Sequence, residues 1–237
     1  MAALDDIINV VGNNGYFSKI KRYSLNWDVE KMLHVILNIG QLRSDRFVID
    51  SENRFAYENI LRWCIGDSEM KAIHPVTKAP IKGSLDKGIY IAGNTGSGKS
   101  WCMEIVSSFV SAAGIGISYD GGDDSREKMR FCITRADDIV SEYLKHGNID
   151  NLKKAPMITI QDLGQEQHEC VYMGNRVNVL KNLIEYRGDF ANKITMFTSN
   201  YPINNEQLCD IYGDRVASRL IGMCNYFEIK GKDRRQL

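Results

Sequence analysis

"GNTGSGKS", residues 93–100, is the stretch from which the fold can be read. It fits G-x-x-x-x-G-K-[ST] with Gly93, Gly98, Lys99 and Ser100, the pattern of a phosphate-binding loop. Glycines let the backbone curl until successive N–H groups face inward, making an anion nest at a helix N-terminus. Asn94, Thr95, Gly96 and Ser97 complete the cradle, and Trp101 opens the helix behind it. In such a loop Lys99 reaches the β- and γ-phosphates and the Ser100 hydroxyl meets Mg²⁺. A glycine-rich loop can match by chance, so its context decides. Here an apolar run, "GIYIAG", precedes the loop. A segment with Cys102, Ile105, Val106, Phe109, Val110 and Ala113 at helical spacing follows it. Strand, loop and helix in that order point to a bound nucleotide.

Working outward, the same alternation continues. "RFCITRADDIVSEYL" reads as strand then helix, "MITIQD" as a strand, "NVLKNLIEYRG" as a helix and "ITMFTSN" as a strand. Upstream, "RFVID" reads as a short extended run, with Asp50 or Ser51 able to cap the helix "ENRFAYENILRWC". Strands alternating with helices imply an α/β fold, a three-layer α/β/α sandwich with a mostly parallel central sheet. This domain is expected over residues 45–237. Residues 1–44 are expected to form a small helical N-terminal appendage with partner binding as its role. Its helix places Val29, Met32, Leu33, Ile36 and Gly40 on one face, while "SKIKRYSLNW" is a basic-aromatic patch with Trp27 expected in the core.

Composition sets limits. Of 237 residues, 43% are hydrophobic and 25% charged, as in ordinary globular proteins. Thirty basic residues balance thirty acidic ones, so no global field draws the chain to nucleic acid or a membrane surface. Contact with single-stranded DNA would have to be local. Six cysteines stand singly without a C-x-x-C pair, which argues against a zinc site or a disulfide framework and suits a cytoplasmic protein. No apolar run is long enough to span a bilayer.

Several segments follow the loop in a telling order: "QDLGQE" (161–166), "YMGNRVNVLKNLIEYR" (172–187), "MFTSN" (196–200), "YGDRVASRL" (212–220) and "IKGKDRR" (229–235). Together they resemble the DnaC/IstB-type ATPases, a branch of the P-loop AAA+ superfamily that includes helicase loaders and transposition helpers. The resemblance covers roughly residues 47–237. It implies ATP and ADP as ligands with Mg²⁺, weak or full ATP hydrolysis, and work in DNA replication or on mobile-element DNA. The implied partners are further copies of the chain and a replicative helicase or a transposase. By that resemblance Asp162 orients the attacking water, Asn200 is the sensor-one residue, Arg215 the arginine finger and Arg235 the sensor-two arginine. Arg219 and Arg234 lie close enough to be confused with the two arginines. Three bland readings stand beside these: Asn200 before Tyr201-Pro202 as a turn former only, Arg215 and Arg219 paired with Asp210 or Asp214, and Glu166 with the charged stretch 181–189 on a solvated face.

Gln161 is the departure. The resembled family has an acid there that helps hold Mg²⁺, usually through water. An amide brings only a dipole where a carboxylate brings charge, so Gln161 contacts the metal through water at most. In an alternative register Asp162 itself becomes the metal ligand beside Ser100. Both registers imply slowed turnover. Three functions remain open at this point: an ATPase acting through a helicase or transposase, an ATP-controlled binding switch with little hydrolysis, and a small-molecule kinase. The adenine site is expected near residues 47–60, and the missing N-K-x-D signature speaks against guanine.

Overall fold

The computed structural model describes residues 17–119 and 127–234, together with Ile7, Val10 and Val11. At its centre lie five parallel strands: β1 (Gly88–Ala92), β2 (Cys132–Arg135), β3 (Met157–Leu163), β4 (Ile194–Ser199) and β5 (Cys224–Glu228). Their spatial order is β5-β1-β4-β3-β2. Strands buried on both faces read as continuous apolar runs. That explains "GIYIA", which is buried at every position.

Seven helices matter to the site and its supports: α1 (Val29–Arg43), α2 (Arg54–Cys64), α3 (Lys99–Ala113), α4 (Ala136–His146), α5 (Val179–Gly188), α6 (Glu206–Tyr212) and α7 (Asp214–Met223). Side chains alternate along each strand, so each face of the sheet carries its own core. Ile89 and Ile91 of β1 pack with Met32, Leu33 and Ile36 of α1, with Ile60 of α2 and with Val106 of α3. Tyr90 packs on the other face with Ile139, Leu183 and Leu220 from α4, α5 and α7. The result is the expected α/β/α sandwich.

The described part of the first 44 residues lies on this body. Ile20–Arg22 pairs antiparallel with Gly116–Tyr119, beside the end of α3. On α1 the buried positions are Met32, Leu33, Ile36 and Gly40, the face expected from spacing. Gly40 is required by contact, because a Cβ there would come within 2.1 Å of the Phe47 ring.

Three local expectations fail. Asn53 rather than Asp50 or Ser51 precedes α2. Trp27 is 40% exposed, meeting Phe109 edge-on at 6.2 Å instead of entering the core. The stretch 181–189 is no simple solvated face, since Arg187 is fully buried. Its guanidinium donates to Thr195 Oγ1 (2.8 Å) and to the carbonyls of Leu152 (2.6 Å), Ala155 (2.7 Å) and Ile194 (2.8 Å). Burial lowers its pKa to about 10, which leaves it charged at neutral pH.

Candidate nucleotide site

The loop begins where β1 ends and turns into α3. Gly96 (φ 76°) and Gly98 (φ 100°) both take the left-handed region, which glycine enters without the Cβ clash of other residues. Gly98 is also the residue from which α3 starts. Lys99 is buried and folds back over the loop, donating to Gly93 O (2.8 Å) and Asn94 O (2.9 Å). It also donates to Asn200 Oδ1 at 2.8 Å. That contact follows from strand order. β4 runs directly beside β1, so the residue after Ser199 arrives opposite the loop. Asn94 and Thr95 are exposed, whereas Ser97 is buried with its hydroxyl unpartnered among the described residues. Trp101 faces away from the loop, between Phe47 (6.3 Å) and the Arg43 guanidinium (4.5 Å).

On β3 the ladder slips. Pairing with β4 runs from Phe197 opposite Ile160 to Ser199 opposite Leu163, so β3 carries one extra residue there. A bulge of this kind re-aims side chains. Asp162 sits in it at φ 59°, and its N–H donates to Thr198 Oγ1 at 3.1 Å. Left-handed backbone at a non-glycine residue costs roughly 1–3 kcal/mol and clusters at functional sites. The Asp162 carboxylate lies 3.2 Å from the Arg135 guanidinium at the end of β2. Gln161 keeps to the α3 side and is buried. Its Nε2 donates to Glu104 Oε1 (3.1 Å) and, at the limit of bonding, to Ser100 O (3.5 Å). The other carboxylate oxygen of Glu104 takes a bond from Arg43 of α1.

A C-terminal segment, 229–234, crosses the loop. Ile229 N bonds Ala92 O (2.9 Å), Lys230 N bonds Glu52 O (3.2 Å) and Arg234 N bonds Gly96 O (2.9 Å). A Cβ on Gly96 would fall 1.9 Å from Asp233 Oδ1, so the Asp233 carboxylate rests against the loop. Arg234 grips both oxygens of Asp50 at 2.9 Å, and this bonding lowers the Asp50 pKa. Asp50 Oδ1 also accepts from Glu52 N (3.0 Å), in the turn ahead of α2. The segment 47–60 is thereby tied to the loop through Asp50 and Glu52.

The remaining expected residues fall as follows. Arg235 lies outside the described residues. Arg215, with its side chain 70% exposed, lies 3.7 Å from the Glu185 carboxylate. Arg219 is more enclosed, donating to Glu185 O (2.7 Å) and pairing with Asp189 (2.6 Å). Neither uses Asp210 or Asp214 among its described ion pairs. Glu166 is buried rather than solvated, because it accepts from Gly164 N (2.8 Å) and from the Tyr212 hydroxyl. It holds the turn after β3. Glu104, Arg135, Asp50 and Asp233 are the site neighbours that sequence reading missed. Only Glu104, one helical turn beyond Ser100, left a readable spacing.

No protein-family model and no curated protein matches the chain. Among solved structures it is similar to DnaI, at TM-score 0.52 and 18% identity over 87% of this chain and 96% of that one. It is also similar to a candidate primosome component from Streptococcus pyogenes serotype M3, at TM-score 0.51 and 19% identity over 78% of this chain and 83% of that one. A DnaC helicase loader gives TM-score 0.48 at 15% identity over 78% and 93% of the two chains. At these identities the likeness concerns architecture. Among the described residues no helix is long and apolar enough to cross a membrane. The chain shares its α/β/α architecture, with a glycine-rich loop between β1 and α3, with the DnaI and primosome-component structures.

Proposed function

We propose that the chain is an ATP-binding AAA+ protein of the helicase-loader kind, assembling with its own copies when ATP is bound and hydrolysing it. One observation carries the reading: Lys99 Nζ reaches Asn200 Oδ1 at 2.8 Å across adjacent strands. The phosphate lysine and the strand-end amide thus meet over the same loop, with Asp162 on the next strand. The Glu104 carboxylate, joined to the Ser100 carbonyl through the Gln161 amide nitrogen, offers hard oxygen of the sort magnesium takes. Ser100 would hold the ion, with Gln161 behind it. Bound Mg²⁺ supplies positive charge against the phosphate oxygens. Lys99 orients the phosphates, Asp162 holds the attacking water and takes its proton, and Arg215 serves the nucleotide of a neighbouring copy. Arg235 is proposed as the contact from the C-terminal side. A primosome role, with a replicative helicase as partner and single-stranded DNA nearby, is supported by the sequence resemblance.

The test joins ATPase measurement to size measurement with ADP and with a non-hydrolysable ATP analogue, with and without single-stranded DNA. Turnover abolished by Lys99→Ala, and larger particles with the analogue than with ADP, are expected. Monomers in every condition would overturn assembly. A second reading, an ATP-controlled switch with little hydrolysis, is favoured by the 3.2 Å Arg135–Asp162 contact. An engaged carboxylate is a poorer base. Arg135→Ala raising turnover severalfold would favour the switch.

A further inference from the structure

We propose that Glu104 supplies the metal-facing carboxylate that Gln161 does not, so the acid of this site stands on α3 instead of β3. The proposal rests on the nucleotide reading above. Ser100 and Glu104 are one helical turn apart, and helical side chains lean toward the N-terminus. The Glu104 carboxylate therefore leans toward the turn that carries Ser100. Gln161 fastens it there, one amide nitrogen touching both Glu104 Oε1 (3.1 Å) and Ser100 O (3.5 Å).

The two residues make sense only as a pair. An acid at 161 would set two carboxylates side by side, where like charges repel. With an amide at 161, Glu104 gains a hydrogen-bond donor instead. The site has one negative charge beside the metal position, shifted from strand to helix. Arg43 competes for it through the other carboxylate oxygen, anchored by its place over Trp101. Charge at the metal position is thus balanced against a residue of α1, the helix that shares a core with α3.

The measurement is binding of a fluorescent, non-hydrolysable ATP analogue titrated with Mg²⁺, which reads the metal without turnover. For Glu104→Gln the Mg²⁺ midpoint is expected to rise about tenfold to a hundredfold, the usual effect of losing a partner behind a metal's direct ligands. Affinity in EDTA should be unchanged. The exchange Gln161→Glu with Glu104→Gln should restore the midpoint, and Arg43→Gln should lower it. Should Glu104→Gln fold poorly, Glu104→Asp and Arg43→Gln decide alone; a wild-type midpoint in both overturns the proposal. So does a Glu104→Gln variant that matches wild type, or one that loses binding equally in EDTA and Mg²⁺. Wild-type protein that binds no analogue at any Mg²⁺ concentration overturns the nucleotide reading as well.

Discussion

At the scale of single residues, position on a strand decides chemistry. Gln161 and Asp162 are neighbours in sequence, and alternation along the strand sends one toward α3 and the other toward Arg135, with the bulge at Asp162 re-aiming its carboxylate. Asparagine tolerates left-handed backbone better than most residues. Asp162→Asn is therefore expected to fold normally while lowering kcat about 10²-fold or more, the usual contribution of a general base. ATPase kinetics beside circular-dichroism melting check this, and unchanged turnover would remove Asp162 from the proposed chemistry. The loop residues were legible in sequence because their spacing is local. Lys99 meeting Asn200 was legible only through resemblance, since the contact depends on which strand lies beside β1. Glu166 was misread for a related reason. Beside the local bond from Gly164 N, it accepts from the Tyr212 hydroxyl, which α6 brings over the turn after β3.

At the scale of elements, buried polar anchors hold the layers in register. Arg187 ties α5 to β4 and to the chain entering β3. Arg187→Leu strands several buried acceptors and is expected to cost about 3 kcal/mol or more. For a chain of this size that lowers Tm by roughly 6 °C or more, read by calorimetry. Helical periodicity anticipated α1 and α3 well. It could not show a charged residue inside the 181–189 stretch, because a buried arginine and a solvated one look alike in sequence. The C-terminal segment depends on the Arg234–Asp50 pair, which holds Asp50 below the ordinary aspartate value of 3.8. Its stabilisation is complete above that value and is lost as pH falls through the lowered pKa. Amide exchange in 229–234, corrected for intrinsic rate, should hold steady from neutral pH to about pH 5 and rise only in stronger acid. Asp50→Asn should raise it already at neutral pH.

At the scale of the whole molecule, alternating strands and helices were enough to anticipate a parallel sandwich. The strand order was not, because nothing local in β5 says that it joins the sheet beside β1. Ligand binding should stabilise the entire body. At a hundredfold excess over Kd a nucleotide adds about 2.7 kcal/mol, so Tm should rise by roughly 5–10 °C. No rise in Lys99→Ala is the matching expectation. If Arg215 acts between copies, Arg215→Ala and Lys99→Ala subunits, each inactive alone, should regain turnover when mixed; persistent inactivity would place Arg215 elsewhere. The segment that ends on Arg234 has one more consequence, a practical one. With Asp233 resting on Gly96 and Arg234 N bonded to Gly96 O, a change in the loop would be felt in the segment that crosses it. A dye attached at position 232 would then change signal on filling of the loop, before and without any chemistry. The chain's own tail could serve as the reporter of its occupancy, and a bulky fusion placed there would be a poor choice for anyone measuring ATP binding.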